Sequence, residues 1–143
     1  MNKNFEDKFM DIQSGLIALC MEITEGKDVD KIFAYVSMES GSDMFDAFVE
    51  IDGEILWLYE LGIDDELMNI FFRTGLSDLE RIEDLCEEND VETPTGIKMY
   101  YDVKSGKFDA DYAYDEKYSN SDVLMAEDML EEWYDEIKSQ KTK

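Results

Sequence analysis

The sequence predicts an α+β fold built on one antiparallel sheet, and three observations support this. Two short turn signals, Asp52-Gly53 and Ser105-Gly106, each join runs of alternating apolar and polar residues, the pattern of a β-hairpin. Three longer stretches carry apolar residues at spacings of three and four, the pattern of an amphipathic helix. Hairpins separated by helices favour antiparallel pairing with the helices packed on one sheet face. The expected order is α-β-β-β-α-β-β-α, about five strands and three helices in a single domain over 1–143.

The first helix is expected over residues 4–24. Phe5, Phe9, Ile12, Leu16, Leu19 and Ile23 form one apolar stripe, and Met10, Ile17 and Met21 add a second flank. Gly15 weakens this helix slightly, and Gly26 is the expected C-terminal cap. Residues 31–39 alternate and are rich in strand formers. After the turn Ser40-Gly41-Ser42-Asp43, residues 44–51 alternate again. The Asp52-Gly53 turn pairs Val49 with Leu56 and Ala47 with Leu58, which makes residues 55–59 a third strand. One face of this hairpin belongs to the core. The other presents Asp46, Phe48, Glu50, Ile55, Trp57 and Tyr59, and packing the helices on a single sheet face would leave these acids and rings at least partly open.

Asp64-Asp65-Glu66 suits the start of a second helix, because acids complement the positive end of the helix dipole. Leu67, Ile70, Phe71, Leu76, Leu79, Ile82 and Leu85 continue it to about Asn89. A kink or split is expected at Gly75 and Ser77, since Ser77 followed by Glu80 reads as a capping box. A loop containing Pro94 leads to the second hairpin. With Ser105 and Gly106 as its two loop residues, Val103 faces Phe108, Tyr101 faces Ala110, Met99 faces Tyr112 and Ile97 faces Tyr114, all on a core face. The opposite face carries Lys98, Tyr100, Asp102, Asp109, Asp111, Ala113 and Asp115, with Asp102 directly across from Asp109. Like charges so placed destabilise a sheet, and a chain that keeps them stores negative potential for a partner. Residues 118–122 lead to the last helix, whose apolar face is Val123, Ala126, Met129, Leu130, Trp133, Tyr134 and Ile137; residues 138–143 read as a basic, frayed tail.

Charge narrows the function classes. The chain has 143 residues, 13 Lys+Arg, 37 Asp+Glu and no His, a net of -24. With 44% apolar and 13% aromatic residues it can still bury a core. Such a field repels nucleic acid and anionic membranes and draws in basic proteins. Between Lys31 and Arg73 no basic residue occurs, while ten acids do: Glu39, Asp43, Asp46, Glu50, Asp52, Glu54, Glu60, Asp64, Asp65 and Glu66. Merely hydrated faces usually mix both signs, so this segment points to a cationic partner.

Enzymatic chemistry lacks a cast. No His and no nucleophile–base pair serve acyl transfer, and no glycine spacing forms a phosphate loop. Asp102, Asp109 and Asp111 can attract Mg²⁺ weakly without making a catalytic site, so no metal, cofactor or enzymatic activity is expected. Cys20 and Cys86 read as buried free thiols, and no signal peptide or membrane span is expected, which points to the cytoplasm.

Several strings resemble the YezG-type immunity family. They are Lys98-Met99-Tyr100-Tyr101-Asp102, Ser105-Gly106-Lys107-Phe108, Asp111-Tyr112 and Tyr114-Asp115 of the second hairpin. The opening helix leading into Ile32-Phe33-Ala34-Tyr35-Val36 and the Leu-rich acidic helix from Asp64 add to the likeness. The resemblance implies an antitoxin that neutralises a toxin delivered by type VII secretion, such as a nuclease with an LXG-type module, by direct binding. It assigns no contact residues. The residues themselves offer Phe48, Trp57, Tyr59 and Tyr100 as anchors and Asp46, Glu50, Asp102, Asp109 and Asp111 as charges, unless those rings pack beneath a helix on the second sheet face. The alternative function is an acidic adaptor or nucleic-acid mimic that regulates a DNA-binding protein.

Overall fold

A computed structural model of the chain describes residues 4–39, 42–115 and 126–141. Helix α1 spans Phe5–Ile23, strand β1 Lys31–Glu39, β2 Ser42–Ile51 and β3 Glu54–Trp57; a 3-10 turn, Leu58–Leu61, follows. Helix α2 spans Asp65–Glu88, β4 Gly96–Asp102, β5 Phe108–Ala113 and α3 Ala126–Lys141. The fold is α+β, in the order the sequence predicts. The five strands form one antiparallel sheet in the order β3-β2-β1-β4-β5. The expected turn residues 40–41, the segment 118–122 and Val123 lie outside the described residues.

Strand β1 takes the centre because its sequence can be dry on both sides. No polar residue interrupts Ile32–Val36, and every position from Ile32 to Glu39 is buried. Helices α1 and α2 cover one face, where Ile12, Leu16, Cys20, Leu79 and Ile82 meet Ala34, Val36, Ala47, Val49, Ile97 and Met99. Asn4 starts α1 by accepting the Asp7 N–H at 2.8 Å, and Asp64 starts α2 by accepting the Glu66 N–H at 2.8 Å. At its C-terminus α1 closes on Thr24, whose hydroxyl donates to the Cys20 carbonyl at 2.7 Å, and not on Gly26, which turns the chain further on at φ 82°. Of the expected second flank of α1 only Ile17 is buried; Met10 and Met21 are exposed.

Helix α2 runs unbroken through Gly75 and Ser77, so it is not split there. Gly75 is a packing residue: a Cβ there would meet the Phe45 ring, with Cε2 at 2.8 Å and Cγ at 2.9 Å. Leu67, Ile70 and Leu76 belong to its exposed side and not to the core stripe.

The largest correction concerns the second sheet face, which α3 covers. Leu130, Trp133 and Tyr134 pack onto Phe33, Tyr35, Phe48 and Ile55, so the aromatic side of the first hairpin is mostly core. The physical reason is the apolar stripe of α3 itself, which requires a surface to bury against, and the first face is already occupied by two helices. Helix α3 continues to Lys141, so residues 138–141 are helical and not a frayed tail.

The first hairpin has the expected register, with Val49 across from Leu56 and both turn residues left-handed, Asp52 at φ 52° and Gly53 at φ 78°. Its last strand ends early, at Trp57. The Glu60 carboxylate accepts the Trp57 N–H at 2.9 Å and closes the 3-10 turn, which buries Leu58 without a strand pair to Ala47.

The second hairpin departs from the expected register by two residues. Tyr101 faces Phe108, Met99 faces Ala110, Ile97 faces Tyr112 and Tyr100 faces Asp109. A shift of two preserves which face each side chain occupies, but it dissolves the expected Asp102–Asp109 pair. Asp102 instead organises a longer loop, accepting the N–H groups of Lys104 at 3.1 Å and Ser105 at 3.2 Å. At the far end Tyr112 and Tyr114 are exposed, not core; the Tyr112 hydroxyl donates to Gln13 Oε1 at 2.9 Å. Asp30 ties the two hairpin turns together, accepting the Asp52 N–H at 3.1 Å and pairing with Lys104 at 3.2 Å.

Candidate functional site: an acidic cleft at the sheet edge

The early end of β3 makes the site. Beyond Trp57 the third strand no longer flanks β2, and the 3-10 turn carries Tyr59 outward while α2 rises beside it. A cleft of about 430 Å³ is left, lined by Asp46 of β2, Trp57, Tyr59 and, from α2, Asp65, Met68 and Phe72. Trp57 stacks on Tyr134 of α3 at 4.3 Å between ring centroids and 18° between planes, and Tyr59 lies nearly parallel to it at 6.3 Å and 17°. Tyr59 is 75% exposed and presents an open ring face at the mouth. Asp46 accepts the Ala47 N–H at 2.7 Å, and burial outweighs this bond, pushing its carboxyl up to about 6.

Of the nine residues singled out from the sequence, the structure gathers three in this cleft: Asp46, Trp57 and Tyr59. Phe48 is 0% exposed, enclosed by Phe33, Trp57, Trp133 and Tyr134, and is an anchor of the core and not of a partner surface. Glu50 is likewise buried, directly across from Lys31 of β1. Tyr100, Asp109 and Asp111 lie together on a shallower surface beside Lys98 and Trp133. There Lys98 sits directly across from Asp111, so part of that charge is answered within the chain. Asp102 serves its own loop. Sequence reasoning missed Asp65, Met68 and Phe72. Met68 and Phe72 are spaced one helical turn apart, and nothing in that spacing says that they border a cleft instead of the core.

A second acidic contact lies across the sheet edge from α2. Glu83 of α2 hydrogen-bonds Asp43 of β2, and Asp43 Oδ1 is buried without a partner. Burial first, then the hydrogen bond and charge of Asp43, then Glu80 and Asp84, push the Glu83 carboxyl up to about 7. Folded chains therefore hold protons on Glu83 and Asp46 that unfolded chains have released, so stability falls as pH rises from about 4 to about 7. The melting temperature is expected to be lower at pH 8 than at pH 5, by about 1–2 kcal/mol of stability once the solvent reaching Glu83 is discounted. Thermal melts of the wild type and Glu83→Gln at fixed ionic strength check this. The variant flattens the slope; a wild-type melting point that rises with pH refutes it.

Burial also raises both thiols, with Asp46 adding to the effect at Cys20, and Glu83 adding at Cys86 against a hydrogen bond from Thr93. Among the described residues no three carboxylates or thiols are grouped to hold a metal ion, and no helix is long and apolar enough to cross a membrane. No family model matches the chain, and no curated protein matches it in sequence.

Proposed function

We propose that this chain is an immunity protein that neutralises a cognate secreted toxin, in particular a nuclease, by binding its basic surface in the cytoplasm. The observation that supports this most is an open cleft with aromatic walls and carboxylates at floor and rim, on a chain of net charge -24. A nuclease holds phosphates in a basic groove. Complementary potential speeds the encounter with such a groove, and a few enclosed rings supply most of the affinity. The resemblance to YezG-type immunity proteins points to the same class of partner. Nothing in this role asks for a catalytic group on the chain.

Co-expression with a secreted toxin whose gene is found beside this one tests the reading. Rescue of growth is expected, through a complex whose association slows about tenfold as salt rises from roughly 0.05 to 0.5 M. Failure to rescue, or an association rate indifferent to salt, overturns it. Capture of a host DNA-binding protein in place of a toxin would favour the adaptor reading instead.

A further inference from the structure

We propose that the cleft bounded by Asp46, Trp57, Tyr59, Asp65, Met68 and Phe72 is a receptor for one arginine side chain presented by a basic partner. This rests on the inhibitor reading above and specifies its contact. Three features of the cleft select that occupant. Its aromatic wall is a ladder in which Tyr134 covers one face of Trp57, leaving Tyr59 as the ring open to a visitor. A planar guanidinium stacks on such a face better than a compact ammonium does. The carboxylates are placed at two depths: Asp46 in the floor, mostly buried and, among the described residues, bonded to one neutral N–H, and Asp65 at the rim. A guanidinium can answer both, since its five donors fan out in a plane.

The cation near this ladder, Lys138, is engaged with Tyr134, its Nζ 5.4 Å from the ring centre and 3.3 Å from the hydroxyl, and does not line the cleft. None of its lining residues is Lys or Arg, and no basic residue occurs from Ile32 to Phe72. The N-terminus of α2 contributes roughly half a positive charge, against the carboxylates of Asp64, Asp65 and Glu66 on that same turn. The other clefts with aromatic walls contrast with this. Those beside β4 and β5 both include Lys98 among their lining, so a cation of the chain itself already occupies the role.

The test uses the full chain and two short peptides, one carrying a single arginine and one carrying citrulline at the same place. Nitrogen–proton correlation spectra are recorded during titration. The arginine peptide is expected to shift the Trp57 indole and the Asp46 and Tyr59 amides, and the citrulline peptide to leave them unmoved. Asp46→Asn is expected to weaken the arginine peptide about tenfold or more. Tyr59→Ala, at a side chain too exposed to matter for folding, should weaken it several-fold. Equal shifts from both peptides, or unchanged affinity in both variants, overturn the proposal. The inhibitor reading fails separately. A toxin complex of wild-type affinity in Asp46→Asn refutes the arginine receptor and leaves the inhibitor standing. Arginine binding without any toxin complex does the reverse.

Discussion

Replacing Trp133 with alanine should destabilise the chain by about 3–5 kcal/mol, the range for deleting a large buried aromatic and leaving a cavity. Trp133 is 7% exposed and meets Phe33 at 5.8 Å and Phe48 at 5.1 Å, both near edge-to-face, with Lys98 Nζ 5.8 Å from its own ring centre. Those geometries add to the simple burial. The ring also attaches α3 to the sheet: without it, Leu130 and Tyr134, with the partly buried Met129 and Ile137, are left to hold the helix over Phe33 and Phe48. Urea unfolding followed by circular dichroism should show the midpoint falling, and a dye that binds exposed apolar surface should light up before global unfolding. Trp57→Ala is the matched control. Trp57 is only half-buried, so its loss should cost far less stability while removing one wall of the cleft. Equal losses at the two positions would mean that α3 is not what seals the second face.

That sealed face marks where the sequence was hard to read. Phe48 and Trp57 sit among Asp46, Glu50 and Glu54, and rings interleaved with acids look the same on paper whether a helix covers them or not. The signal for coverage was in β1. Five consecutive apolar or aromatic residues, Ile32 to Val36, are the pattern of a strand dry on both sides, and they require a layer on each. The two hairpins show how much turn chemistry decides. Asp and Gly at 52 and 53 both tolerate left-handed backbone, so the two-residue turn and its register followed directly. In the second hairpin Gly106 is left-handed, at φ 77°, and Ser105 is not, so a longer loop forms around the Asp102 carboxylate. Face assignments survived because the error was an even number of residues. The Asp102–Asp109 repulsion, which needed the register itself, did not. The cleft was half legible: its ring and floor residues come from the hairpin, but the α2 wall is set by how that helix packs, which no spacing encodes.

Gly75 controls that packing, and Gly75→Ala should invert an ordinary rule. Alanine for glycine inside a helix usually adds about 1 kcal/mol of stability. Here the added methyl would run into the Phe45 ring, which is 2% exposed and packed at a tilt against Phe71 at 5.0 Å, so it has little room to retreat. Overpacking of this kind costs about 1–3 kcal/mol, and Gly75→Val, with two more carbons and a stiff side chain, should reach the upper end. The net for alanine is then a loss of up to about 2 kcal/mol, read from urea midpoints. Phe45→Leu separates causes. In that background the steric term shrinks and the helix-propensity gain should emerge, giving a coupling energy of about 1 kcal/mol or more in the double-mutant cycle. A Gly75→Ala variant more stable than wild type with Phe45 in place would show that the ring yields freely. The consequence extends past stability, because Phe72 and Met68 lie on the turns just before Gly75 and line the cleft. If α2 must lift from β2 to admit a methyl group, the wall opposite Asp46 moves with it, and arginine-peptide binding should weaken in Gly75→Ala while returning in the Phe45→Leu pair.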